Sequence, residues 1–215
     1  MAAIHASKKH NVTILDGNDR IGKKLFITGK GRCNVTNSKD ISEFFDYIPG
    51  NPHFLYSALY SYTNEDTMNF FENIGIKLKV ERGGRVFPMS DKSSDIIKGL
   101  SIGLKESNVQ VKLNSKVTNI IYDANKIVGV EINNSTKLYG DYFIIATGGA
   151  SYPLTGSRGE GQKFAKKLGH TIIELKPSLV PIELNEPWLK DLMGLSLKNI
   201  SLSILKNNKV LYKNQ

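Results

Sequence analysis

The sequence predicts an α/β fold in which a short strand, a glycine-rich loop and a buried strand end converge on one ligand, and three stretches carry that expectation. Val12-Thr13-Ile14-Leu15 is a β-branched apolar run that stops on an acid, Asp16. Gly22 to Asn37 opens from Leu25-Phe26-Ile27 into Lys30, Arg32, Asn34 and Thr36 set among Gly29 and Gly31. Such a density of hydrogen-bonding groups and conformationally free backbone suits a ligand loop better than a packed core. Asp141 to Gly149 is an apolar strand pattern finishing on Thr147, Gly148 and Gly149, an ending that lets a planar ligand lie against bare backbone. For each motif taken singly the plainer reading, a polar surface turn or an acid at a strand end, stays open.

The totals bound the answer. A chain of 215 residues, 40% hydrophobic, builds one domain of ordinary size, or one plus a fragment. A net charge of +9 favours an anionic partner such as a nucleotide or RNA, although excess lysine on a solvated surface is the plainer account of it. The single cysteine, Cys33, excludes an internal disulfide framework and a cysteine-rich zinc site, and points to a reducing, cytoplasmic setting. No apolar run approaches the ~20 residues needed to span a bilayer, so no membrane partner is expected. Met1 to His10 lacks the continuous apolar core of a signal peptide.

In chain order, residues 1–10 read as the second half of a helix leading into the Val12–Asp16 strand. A strand of this kind resembles the second strand of a dinucleotide-binding βαβ unit, whose terminal acid accepts hydrogen bonds from ribose. The strand and G-x-G-x-x-G turn that should precede it have no room ahead of Val12, so the sequence is expected to start late. Ile41, Phe44, Phe45 and Ile48 fit one face of a short helix, stopped by Pro49-Gly50-Asn51-Pro52. Helices follow over 53–62 and 64–74, the second capped by Thr63 or Asn64 and closed by Gly75. A strand over 76–81 leads to an arginine- and glycine-rich turn over 82–88, and Ser90 or Asp91 is expected to cap a helix through Glu106. Gly99 and Gly103 weaken that helix by about 1 kcal/mol each relative to Ala, which close packing would explain. Strands are predicted over 109–113, 116–122, 126–132 and 137–145, the last three as a meander. A second glycine- and hydroxyl-rich loop, 151–161, opens a helix over 162–168, whose N-terminal amides suit an anion. A strand over 170–175, a stiff segment Pro177 to Pro181, a strand over 197–205 and a hairpin return over 210–212 complete the chain. A lone hairpin is marginal, so residues beyond 183 read as the opening of a further domain.

Three segments together resemble a known family: GKGRCNVTN at 29–37, GRVFPMSDK at 84–92 and ATGGASYPLTGSRGEGQKFAKKLGH at 146–170. They are similar to the BaiN/YhiN family of NAD(P)/FAD-dependent flavoproteins, also called the aminoacetone-oxidase family. The resemblance implies a three-layer ββα, Rossmann-like FAD/NAD(P)-binding domain over 1–183, lacking its first strand and G-x-G-x-x-G loop. It also implies that 184–215 begin an inserted β-rich domain and that the chain is truncated at both ends. The missing portions of its own fold are then candidate partners. By the same resemblance Asp16 contacts the adenosine ribose, and Lys24, Gly31, Arg32, Cys33, Asn34 and Thr36 lie along the flavin and its ribityl-phosphate chain. Val117 sits near adenine through its backbone, Thr147, Gly148 and Gly149 pass close to the cofactor, and Tyr152, Gly156 and Gly159 shape its far side. The implied reaction is hydride transfer from NAD(P)H through FAD to an activated double bond, with uracil in ribosomal RNA one substrate. The alternatives are a reductase or oxidase of a small molecule, an unsaturated ketone or an amine, or an inactive remnant of a split flavoprotein. Cys33 is the sharpest candidate for a proton donor, with packing in a tight loop as the other reading.

Overall fold

The computed structural model describes residues 1–124, 126–177, 183–197 and 200–214. Two compact units divide the chain, Met1–Ile173 and Glu174–Gln215. Along the first run α1 (Ala2–Ala6), β1 (Thr13–Leu15), α2 (Lys23–Ile27), β2 (Thr36–Asn37), α3 (Tyr56–Ser61), α4 (Asn64–Asn73), β3 (Leu78–Glu81), β4 (Arg85–Pro88), α5 (Ser93–Glu106), β5 (Gln110–Lys112), β6 (Val117–Asp123), β7 (Lys126–Ile132), β8 (Thr136–Tyr139) and α6 (Glu160–Lys167). β1 pairs with β5 in parallel, Thr13 opposite Gln110. β2, β4 and β3 form an antiparallel sheet with β4 in the middle, and β6, β7 and β8 form the antiparallel meander that the sequence predicts.

The core gathers where α5 crosses the β2–β4–β3 sheet. Cys33, Phe71, Ile76 and Ile96 are buried together, with Leu25, Val35, Ile74 and Leu100 packed against them. Close approach explains the two glycines of α5: a Cβ on Gly99 would lie 2.5 Å from Ile76 Cδ1, and one on Gly103 would lie 3.0 Å from Ile4 Cδ1. Thr63 caps α4 through a reciprocal capping box with Asp66, and the buried Asn64 amide donates to the carbonyls of Asn37 (2.8 Å) and Lys39 (2.9 Å). That pair of bonds ties α4 to the end of the glycine-rich loop.

Several elements differ from the sequence reading. Residues 85–88, expected as part of a turn, are β4, because Val86 and Phe87 are buried at the centre of the sheet while the turn tightens to Arg82–Gly84. Lys23–Ile27, expected to belong to an open loop, is the helix α2, anchored where Ser93 Oγ donates to Phe26 O at 2.9 Å. α5 therefore starts at Ser93 with Lys92 as its cap residue, and Asp91 is taken up elsewhere. The helices expected over 41–48 and 53–62 are tighter, a 3-10 helix at Ile41–Tyr47 and another at Pro52–Leu55 running into α3. The strands expected over 137–145 and 170–175 shorten to β8 and to no regular element. A strand is defined by its hydrogen-bonded neighbour, and among the described residues none pairs with 141–147, which leaves Tyr142 and Ile144 exposed.

In the second unit, a 3-10 helix at Pro187–Leu192 precedes the antiparallel hairpin of β9 (Leu202–Lys206) and β10 (Lys209–Asn214). Most of the expected Pro177–Pro181 segment, and residues 198 and 199 of the expected 197–205 strand, lie outside the described residues.

Candidate functional site

The parallel pair β1–β5 sets the first wall. Asp16 N donates to Lys112 O at 3.0 Å and Ser115 N to Asp16 O at 2.9 Å, so the acid stands where the strands end. Asp16 Oδ1 accepts from Asn18 N and Asn18 Nδ2, both at 2.9 Å, closing a tight Asx turn. The same Asn18 amide reaches across to Thr155 O at 3.2 Å. Gly156 permits this contact: with φ 98° it suits glycine, and a Cβ there would sit 2.7 Å from Asn18 Nδ2. Lys24, on α2, makes the second crossing, with Nζ 2.7 Å from Ser151 O and 4.9 Å from the centre of the Tyr152 ring.

Residues 146–161 form the facing wall. Gly161 N donates to Thr147 Oγ1 at 3.1 Å and Gly159 N to Gly149 O at 3.1 Å, folding the loop back on the start of α6. Around Gly149 and Gly31 the backbone faces open space, since a Cβ at either would meet nothing within 4 Å. In the first turn of α6, the buried Gln162 Oε1 has no hydrogen-bond partner among the described residues. A group carrying N–H or O–H would satisfy it.

The loop after α2 turns its side chains another way. Arg32 pairs with Glu81 and with Asp91, donating from Nε to Asp91 Oδ1 at 2.7 Å, and its guanidinium lies 4.0 Å from the centre of the Phe87 ring. Lys79 joins the same cluster through Asp91 and Glu81. Lys79 and then Arg32 hold the Asp91 carboxyl below its usual range, and Arg32 does the same for Glu81. Cys33, with φ 61° and 2% exposed, lies in the core cluster, where burial pushes its thiol above the ordinary value. The Asn34 amide, oriented with its nitrogen toward Val86 and Thr36, donates to both carbonyls. Thr36 lies in β2 opposite Val86.

The structure thus joins Asp16, Lys24, Thr147, Gly148, Gly149, Tyr152, Gly156 and Gly159 around one rim. Val117 adjoins it, because Lys116 packs against Gly17 and both Lys116 and Val117 line a shallow groove of about 360 Å³ with Thr118, Lys163, Phe164 and Lys167. Gly31, Arg32, Cys33, Asn34 and Thr36 connect to the rim through α2, but the Arg32 and Cys33 side chains are committed to the β3–β4 side. Asn18, Glu81, Asp91 and Gln162 escape the sequence reading. Only Asn18 carries a local signal, its place in Asp16-Gly17-Asn18. Glu81 and Asp91 are chosen by partners distant in sequence, and Gln162 stands out only by the burial of its unpaired Oε1. Among the described residues no group of three or more His, Cys, Asp or Glu side chains is arranged to hold a metal, and no helix is long and apolar enough to cross a membrane.

A parallel strand pair ending on a carboxylate beside glycine-lined backbone defines a Rossmann-like α/β protein. The chain belongs to the HI0933-like protein Rossmann domain family, whose pattern matches residues 1–212. It is 29% identical over 191 residues to a 3-dehydro-bile acid delta(4,6)-reductase of Clostridium scindens, covering 88% of this chain and 46% of that protein. It is 30% identical to the ribosomal RNA dihydrouridine synthase of Escherichia coli K12, covering 91% of this chain and 48% of that protein. With the enzyme of the same name from Haemophilus influenzae, identity is 32% and coverage is 91% of this chain and 49% of that protein. The chain spans about half the length of these relatives. The open conformation of a flavocytochrome c3 fumarate reductase superposes with a TM-score of 0.47 at 18% identity, covering 75% of this chain and 33% of that one.

Proposed function

We propose that this chain forms the FAD-binding part of an oxidoreductase that saturates a carbon–carbon double bond conjugated to a carbonyl. The observation that carries the reading is the Asp16–Asn18–Thr155 junction, which sets a carboxylate at a parallel strand end against a wall of bare glycine backbone. One Asp16 oxygen is spent on the turn, and the other is the acceptor for a ribose hydroxyl. Lys24 brings an ammonium to the rim for a phosphate, Gly149 lets a flat ring approach the backbone, and Gln162 offers an acceptor. When bound, FAD supplies hydride transfer, with NAD(P)H as donor; the protein supplies orientation and electrostatics. We assign Cys33 to packing rather than to proton donation, because its thiol is buried among Phe71, Ile76 and Ile96.

The substrate class follows from what the relatives' names share. Making dihydrouridine and reducing a delta(4,6) bile acid both saturate a double bond conjugated to a ring carbonyl. Two of the three named relatives act on ribosomal RNA, and the net charge of +9 suits that polyanion, so uracil in RNA is the favoured substrate. A small unsaturated ketone is the second reading, supported by the bile-acid enzyme.

Titration of the 215-residue chain with FAD, followed by flavin absorbance and fluorescence, tests the cofactor reading. The chain contains no G-x-G-x-x-G turn to supply pyrophosphate-binding amides. We expect a Kd weaker than about 1 µM, weakened a further ~10-fold by Asp16→Ala, about 1.4 kcal/mol. No detectable FAD binding, or an affinity indifferent to Asp16, overturns the cofactor reading; submicromolar binding overturns only the expected weakness.

A further inference from the structure

Residues 40–73 differ in kind from the rest of the chain. They hold half of its Phe and Tyr residues and six acids, Asp40, Glu43, Asp46, Glu65, Asp66 and Glu72, without a single Lys or Arg. All of the chain's excess positive charge therefore lies outside them. The 3-10 helices at Ile41–Tyr47 and Pro52–Leu55 and the helix α3 bury no residue. Tyr47 is 69% exposed and Phe54 80%, and Tyr56 and Tyr60 are exposed as well. Phe45 stacks on Tyr56 and Tyr60 with ring centres 5.0 and 6.0 Å away, so the rings form a continuous bank.

This face already holds one cation. Lys39 Nζ lies 4.5 Å from the centre of the Tyr47 ring, bonds Glu43 Oε2 at 3.1 Å and meets the Tyr47 hydroxyl at 2.7 Å. An ammonium thus sits between an aromatic ring and a carboxylate, the arrangement that binds cations best when both are present. Stacked exposed rings would also suit unpaired nucleobases, but a nucleic acid brings phosphates, and the one Lys or Arg of 39–73, Lys39, is already paired with Glu43.

We propose that the aromatic, acidic face formed by residues 40–62 docks a Lys- or Arg-bearing extended segment of a partner protein. Its cationic side chains lie over Phe54 and the Phe45–Tyr56–Tyr60 bank and pair with Asp46, beside the Tyr47–Glu43 pair that Lys39 already fills. None of these residues belongs to the cofactor rim, so the proposal stands apart from the flavin reading.

The test is amide NMR of the full chain titrated with an eight-residue peptide alternating Arg and Gly, beside matched titrations with a Glu–Gly peptide and with oligouridylate. Shifts from the Arg peptide should be confined to 40–62 and weaken as salt rises. The double variant Phe54→Ser/Tyr56→Ser should lower affinity about tenfold, in line with loss of cation–π contacts. Asp46→Asn should lower it too, and serves alone if the first variant fails to fold by circular dichroism. Equal affinity in wild type and variants overturns the proposal, as do Arg-peptide shifts lying elsewhere. So does oligouridylate as the ligand that moves this face, which would make it an RNA surface. Self-association abolished by the same variants would mean that a second copy covers it.

Discussion

Gln162 offers the sharpest test at the scale of one residue. Its buried Oε1 has no partner among the described residues, and an unmet buried acceptor costs on the order of 1–3 kcal/mol. Gln162→Leu removes the acceptor while keeping most of the volume. In the absence of FAD, urea unfolding should find this variant as stable as wild type or up to about 1 kcal/mol more stable. FAD affinity should fall, a separation that a purely structural Gln162 would not produce. Cys33 makes a prediction in pH. Burial raises its folded thiol pKa, so the neutral form is favoured in the native state. The stability this contributes is complete below the unfolded value of ~8.5 and is lost as pH rises through the folded value. Wild type should therefore lose stability above about pH 8.5 more steeply than Cys33→Ala, compared by urea midpoints across the alkaline range.

Among elements, α5 decides how closely the sheet and helices approach. Gly99→Ala would gain about 1 kcal/mol in helix propensity, but its Cβ would meet Ile76 at 2.5 Å. Overpacking of that kind costs about 1–3 kcal/mol, so the variant should be destabilised on balance, measured as a lower urea midpoint with unchanged slope. The β3–β4 hairpin is held differently. Arg32, reaching from the glycine-rich loop, is fastened to Glu81 before the turn and Asp91 after it while stacking on Phe87. The loop that a sequence reader sees as free for ligand is on this side a strut between elements. Its openness survives only at backbone such as Gly31.

For the whole molecule, the two units differ in what protects them. Unit one packs β6–β8 with Ile120, Val130 and Ile132 buried, whereas the described side chains of the β9–β10 hairpin are exposed throughout. A two-stranded hairpin is marginal without a covering layer. Hydrogen exchange should find the amides of β9 and β10 nearly unprotected while those of β6 and β7 persist longest, and equal protection would contradict this. Charge is divided just as unevenly. The excess positive charge is absent from 40–73, which carry six acids and no Lys or Arg.

The sequence by itself determined the strand that ends on Asp16, the three-stranded meander and the start of α4 at Thr63 or Asn64. Each rests on local chemistry: β-branched runs, turn residues and a capping side chain. Only the tertiary structure decided that Val86 and Phe87 form a central strand, since burial on both sides comes from β2, β3 and α5 rather than from residues nearby. It likewise decided that Arg32 serves Glu81 and Asp91, that Cys33 is core, and that 141–147, strand-like in composition, lacks a paired neighbour among the described residues. Hydrogen-bond pairing and burial are properties of partners, and a partner's distance along the chain leaves no mark on the residue that meets it.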